Sequence, residues 1–176
     1  MKQKRYDEAV LWADALHQEL LERPQTNVEH FAIVRVVLAN SLAHQNPDDP
    51  PRERILCLVD QALKEFRRTS HHEVVTESLA LMIRAECMRR SNNIEQEKES
   101  MEKSAQLMEE LFGKESISSL VPLVYLSAVY ARIEGMASEA CKHARFVKQN
   151  APTLENGEQH YVAHLAERVL DKFGEN

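Results

Sequence analysis

The segment His160-Tyr-Val-Ala-His164 places two imidazoles one helical turn apart, with Glu167 a turn further on. Two histidines at that spacing share a helical face and are a known half of a zinc site. No glutamate stands between them to act as a base, so the pair does not match a hydrolytic zinc motif, and no cofactor is expected. Cys141 and His143 are two residues apart, which puts them on different helical faces. The paired carboxylates Asp48-Asp49 and Glu109-Glu110 fall in a Pro-rich turn and on a polar helix, where solvated surface is the expected role. A nucleophilic enzyme needs a Ser or Cys held against a base, and no G-x-S-x-G run is present. Phosphate cradles and dinucleotide loops consume glycine, and this chain has 4 in 176 residues. Catalysis is not expected.

A second group of polar residues lies inside apolar stretches: Arg35, Asn40, His44, Arg84, Glu86, Tyr125, Arg132, His160 and His164. Leaving such groups buried and unpaired costs about 1–3 kcal/mol each. Each therefore pairs internally or faces a ligand, and the nine are the candidate partner-binding residues. Arg35, Arg84 and Arg132 come from three successive apolar segments. If they converge, they favour a carboxylate or an acidic motif. The alternative is that each guanidinium reaches the edge of its helix and meets a neighbour's carboxylate.

The elements that must position these residues are all helical. Periodicity and punctuation predict helices at 3–22, 28–45, 51–68, 72–91, 94–112, 117–134, 137–150 and 158–173, and no strand. Thr26-x-x-Glu29 and Ser70-x-x-Glu73 have capping-box spacing, and Asn93-x-x-Gln96 repeats it with amides. Pro51 suits a first helical turn, and Gly113 a helix end. Ile55, Leu58, Val59, Ala62, Leu63 and Phe66 form one stripe on the third helix, and Ile94, Met101, Ala105, Met108 and Phe112 one stripe on the fifth.

Two helix types alternate. Residues 31–43 are apolar at 10 of 13 positions, 79–88 at 8 of 10 and 120–131 at 10 of 12, whereas 94–112 is apolar at only 7 of 19. A helix that is apolar nearly all round must be covered on several sides, while a one-stripe helix lies outside. The pattern predicts an all-α chain of about eight antiparallel helices in two layers: an α-α superhelix, or α-solenoid, forming a single domain over 1–176. Ala62 and Ala105 recur 43 residues apart, and Glu97 and Glu139 recur 42 apart, the trace of a repeat.

The residues that carry a family likeness are Leu126-Ser-Ala-Val-Tyr130, then Gly135-Met-Ala-Ser-Glu139-Ala140-Cys-Lys-His-Ala144, with Pro152 beyond. They resemble the L-x-x-x-Y and G-x-x-x-E-A-x-x-x-A pattern of tetratricopeptide (TPR) repeats. Tyr6-Asp7-Glu8-Ala9-Val10, running to Pro24, resembles the second helix of another repeat. Met108-Glu-Glu-Leu-Phe-Gly113-Lys-Glu-Ser resembles the turn between units in longer variants such as kinesin light chains. The resemblance implies that Gly135 ends an inner helix, that Ala140 packs against it, and that the inner helices line a groove for a peptide or partner subunit. The expected role is a non-catalytic protein-interaction scaffold. Two other roles stay open: a structural segment that docks through its terminal helices, and a regulatory domain with a small-ligand or metal pocket at His160 and His164.

Charge argues against nucleic acid as the partner. There are 22 Lys and Arg against 28 Asp and Glu, a net charge of −6, whereas phosphate binding needs a basic stripe. No apolar run approaches the ~20 residues of a membrane span. Residues 1–8 precede no apolar stretch, so no signal peptide is expected. Cys57, Cys87 and Cys141 are odd in number and widely spaced. They suit a reducing compartment such as the cytoplasm. The order begins with an outer-type helix and ends with an inner-type one, so a longer array, an oligomer or a larger complex is expected.

Overall fold

A computed structural model describes residues 2–23, 27–69, 73–152 and 160–175, with side chains from Arg5 onward. Among the described residues all regular structure is helical: α1 (Lys2–Leu21), α2 (Val28–Gln45), α3 (Arg52–Phe66), α4 (Val74–Arg90), α5 (Ile94–Phe112), α6 (Ile117–Tyr130), α7 (Ala137–Asn150) and α8 (Tyr161–Lys172).

Short polar side chains set several starts. The Asn27 side chain accepts from the Glu29 amide at 2.9 Å and opens α2. Thr26, the expected cap, and Ser70 lie outside the described residues. Asn93 accepts from the Gln96 amide at 3.2 Å, as its spacing predicted. Ser116 accepts from the Ser118 amide at 3.3 Å and opens α6. Pro51 is the N-cap of α3 rather than its first helical residue.

Helix ends differ more from expectation. α3 stops at Phe66 because the Arg68 and Thr69 amides turn back onto Glu65 and Phe66 at 2.9 and 3.2 Å. α6 stops at Tyr130 rather than 134, since the Arg132 and Ile133 amides bond three residues back, at 2.9 and 3.0 Å. Such bonds tighten a last turn but do not propagate an α-helix. Gly135 thus lies in the following turn, at φ +82°, and does not itself end the helix. At the end of α8, Glu175 donates to Leu170 and Gly174 to Asp171, both at 3.1 Å, with Gly174 at φ +69°. This is a Schellman closure, and glycine takes that left-handed conformation without a Cβ penalty.

The chain divides into two compact units, Met1–Ser91 and Asn92–Asn176. Each repeats one plan. In the first, α2 packs on α1, α3 and α4, and α3 packs on α4. In the second, α6 packs on α5, α7 and α8, and α7 packs on α8. Even-numbered helices therefore touch each other directly within each unit.

Burial follows the predicted alternation. Within 31–43 only Val37 is exposed, and within 79–88 only Leu79. In contrast α5 exposes Glu95, Gln96, Glu99, Lys103, Gln106 and Glu109. The predicted stripe of α3 is buried in full. On α5 the stripe holds for Met101, Ala105 and Met108 but fails at Phe112, which is exposed beside the Gly113 end.

Small residues let the layers close. Ala32, Ala39, Ala62 and Ala80 are wholly buried in the first unit, as are Ala140, Ala144 and Ala166 in the second. Buried serines spend their hydroxyls on carbonyls: Ser127 donates to Val124 at 2.7 Å, and Ser119 to Met108 at 2.8 Å, which ties α6 to the end of α5. Extra methylenes at a sealed contact cost about 1–3 kcal/mol. Ala144→Leu should lower the urea midpoint accordingly, whereas Ala128→Leu, at an exposed position of α6, should stay within about 0.5 kcal/mol of the parent.

Candidate functional site

Each inner helix keeps one stripe that no neighbour covers. On α2 it runs through Val37, half-buried Asn40 and His44, at i, i+3 and i+7. On α4 it runs through Val75, Leu79 and half-buried Glu86. Val37 is 47% exposed although it sits in a nearly continuous apolar run, and Val75 is 44% exposed. The uncovered stripes of the first unit are thus apolar, with polar groups at one end.

In the second unit the stripe of α6 is Tyr125 and Ala128, continued by Arg132 in the turn beyond, and that of α8 is Tyr161, His164 and Arg168. Both tyrosines are nearly half exposed. Burial of the Tyr161 phenol, and then the nearby Tyr125 hydroxyl, push its pKa up. The His160 ring lies 4.5 Å from that of Tyr161. At the other end of the helix pair the Lys172 ammonium donates to the Ala131 carbonyl. Aromatic groups and bases therefore occupy successive positions along one face of this unit.

The arginines are engaged with carboxylates of outer helices. Arg35 is buried, pairs with Glu65 of α3, and lies over the Phe31 ring at 3.7 Å. Arg84 donates from Nε to Asp60 of α3 at 3.0 Å. Arg132 forms a fork on Glu97 of α5 at 2.7 and 2.9 Å. Arg35 and Arg84 thus turn toward α3 and away from the uncovered stripes. Arg132 is partly exposed, with Glu97 beneath it at 4% side-chain exposure.

The remaining candidates have local tasks. His44 Nδ1 bonds the Asn40 carbonyl at 2.8 Å, and its ring stacks on Tyr6 at 5.1 Å. Glu86 accepts from Arg89 and Arg90 at 2.6–2.7 Å. Burial would raise its carboxyl, but these two guanidinium partners hold it below the usual range. His160 caps α8, its Nδ1 accepting from the Val162 amide at 3.5 Å. His164 is exposed, with Nδ1 3.5 Å from Glu167. Among the described residues no group of three His, Cys, Asp or Glu is gathered for a metal ion.

Sequence reasoning missed Val37, Val75, Leu79 and Tyr161. Their apolar neighbours disguised them as core. The only available signal was an apolar residue on a helix whose other faces already account for its partners.

Arg35 also bears on His17 of α1, whose ring stacks on Phe31 at 5.2 Å. Burial first, and then the Arg35 charge, hold the His17 imidazolium below its ordinary pKa. Burial likewise lowers His143, helped by Lys142 and Lys114. Both groups bind protons more readily when unfolded. Their contribution is therefore complete above the unfolded value, near 6.5, and is lost as pH falls through the lower folded value. The urea midpoint should decline from pH 7.5 toward pH 5.5, about the range in which histidine titrates, and His17→Gln with His143→Gln should flatten that decline. Separately, Arg132→Met should destabilise the second unit by about 1–3 kcal/mol, because it strands a buried carboxylate, and Glu97→Gln in the same chain should recover part of the loss.

Comparison with known proteins adds the fold class. No family model matches the sequence, and no curated protein matches it. Among solved structures the chain is similar to BtubC (BKLC) from P. vanneervenii, a kinesin light chain-like TPR protein. The TM-score is 0.77 at 11% sequence identity, and the alignment covers 99% of this chain and 68% of that one. At that identity the likeness speaks to fold alone. The chain has an all-α, TPR-like helical-repeat fold of the α-solenoid class.

Proposed function

We propose that this chain is a non-catalytic protein-interaction scaffold that takes a peptide or partner subunit on the uncovered stripes of its inner helices. One observation carries the reading: Val37, Val75 and Leu79 on α2 and α4, and Tyr125 and Tyr161 on α6 and α8, are large apolar or aromatic side chains left open on the inner helices. Rigid aromatic and apolar groups of this kind are the usual anchors of protein interfaces. Asn40, His44, Glu86, Arg132, His160 and His164 would supply polar contacts around them. Arg35 and Arg84 would act at one remove, by holding the inner helices against α3.

Protein partners also suit the net charge of −6 and the helical-repeat fold. No helix among the described residues is long and apolar enough to cross a membrane. Cys57, Cys87 and Cys141 are unpaired, which supports a reducing compartment.

The test is site-specific photocross-linking in the source cell. A benzophenone side chain at Leu79 or Tyr125 should trap another protein, and the same probe at Gln106 on the outer helix α5 should not. Tyr125→Ala and Leu79→Lys should each reduce the trapped partner by at least about tenfold, the equivalent of ~1.4 kcal/mol. Adducts from position 106 alone would overturn the assignment.

A further inference from the structure

α1 carries two apolar stripes on opposite sides. Val10, Ala13, His17 and Leu20 face α2 and are buried or half-buried. Leu11, Trp12, Ala15 and Leu16 face away and are exposed, Trp12 at 77% and Leu11 at 70%. A tryptophan so open to water is uncommon, and among the described residues Trp12 is the most exposed large apolar side chain. We propose that this outer face of α1 is a self-association surface, on which α1 of a second copy of the chain lies antiparallel across a two-fold axis. The surface is separate from the inner-helix stripes, so the proposal stands or falls independently of them.

Two observations select a second copy as the occupant. The first is area. The open stripe presents on the order of 400 Å² of apolar surface, given ~250 Å² for a full tryptophan. A standard interface buries about 800 Å² per partner, a little over half of it apolar. The stripe therefore has the size of one partner's apolar share. The second is mirror complementarity. An isologous contact requires that if residue i meets residue j, then j meets i. With the axis between positions 13 and 14, Trp12 lies opposite Ala15 of the second copy, and Leu11 opposite its Leu16. The bulkiest side chain faces the smallest, and leucine faces leucine. Further out, Arg5 lies opposite Glu22 of the second copy. Glu8 lies opposite Glu19, which pairs with Arg23 just beyond the end of its own helix. The stripe thus complements itself in size, and Arg5 with Glu22 supplies one opposite-charge pair on each flank.

Trp12 is the only tryptophan in the chain, so its fluorescence reads this surface directly. Sedimentation velocity and tryptophan emission would be followed together from about 1 μM to about 500 μM, a range that brackets weak interfaces of this size. The expected result is a monomer–dimer equilibrium with a micromolar Kd and a blue shift of emission that tracks the dimer fraction. Trp12→Glu should raise Kd at least about 30-fold, the signature of a hot spot, with no change in thermal midpoint at concentrations well below the parent Kd, where both chains are monomeric and the side chain is exposed. Arg5→Glu and Glu22→Arg should each weaken the dimer, and the two together should restore it. A chain that stays monomeric with unshifted emission overturns the proposal. So does a dimer that survives Trp12→Glu, or a charge swap that fails to rescue.

Discussion

An inner helix that is apolar on nearly every side is stable in water only if several neighbours cover it, and the architecture of each unit follows from that requirement. α2 meets it with α1, α3 and α4, and α6 with α5, α7 and α8. Four consecutive helices joined by short turns supply three such neighbours only when the two inner helices also pack on each other. The wholly buried alanines make that approach possible. Ala32 and Ala39 lie on α2, Ala62 on α3 and Ala80 on α4, where larger side chains would hold the backbones apart. The outer helices then need only one stripe, and their remaining surface is free to be charged.

Polar groups tie the two layers together without adding to the core. Arg35, Arg84 and Arg132 leave the inner layer, and Glu65, Asp60 and Glu97 receive them from the outer one. A guanidinium can extend its apolar stem along a neighbouring helix and still keep its head near water. A paired charge of this kind adds little net stability, yet it penalises any packing that would leave the carboxylate unmatched. Glu97 is the clearest case: it is nearly inaccessible, and the fork from Arg132 engages both of its oxygens. Residues that look like a binding cluster in sequence can therefore be the device that fixes helix register.

Layering was legible in the sequence because it rests on local density of apolar residues, which needs no knowledge of neighbours. The α3 stripe from Ile55 to Phe66 and the Asn93 cap of α5 are local in the same sense. Helix ends were less legible. Tyr130 ends α6 because the next amides adopt three-residue bonds, and nothing in Ala131-Arg-Ile-Glu announces that choice. The site was least legible of all. Whether Arg35 points at a groove or at Glu65 depends on where α3 comes to rest, a contact 30 residues away in sequence. Val37 and Leu79 read as core for the same reason, since exposure belongs to the packed unit and not to the residue.

That distinction gives the exposed apolar residues their meaning. A single leucine on a surface needs no explanation. Large apolar residues left open along the uncovered stripes of inner helices are a different matter. Val37, Val75 and Leu79 in the first unit, and Tyr125 and Tyr161 in the second, are 37–48% exposed. That open share adds nothing to the fold, and an explanation for its apolar character has to come from outside the fold. A surface that excludes water when another molecule arrives is the simplest explanation that physical chemistry offers for them.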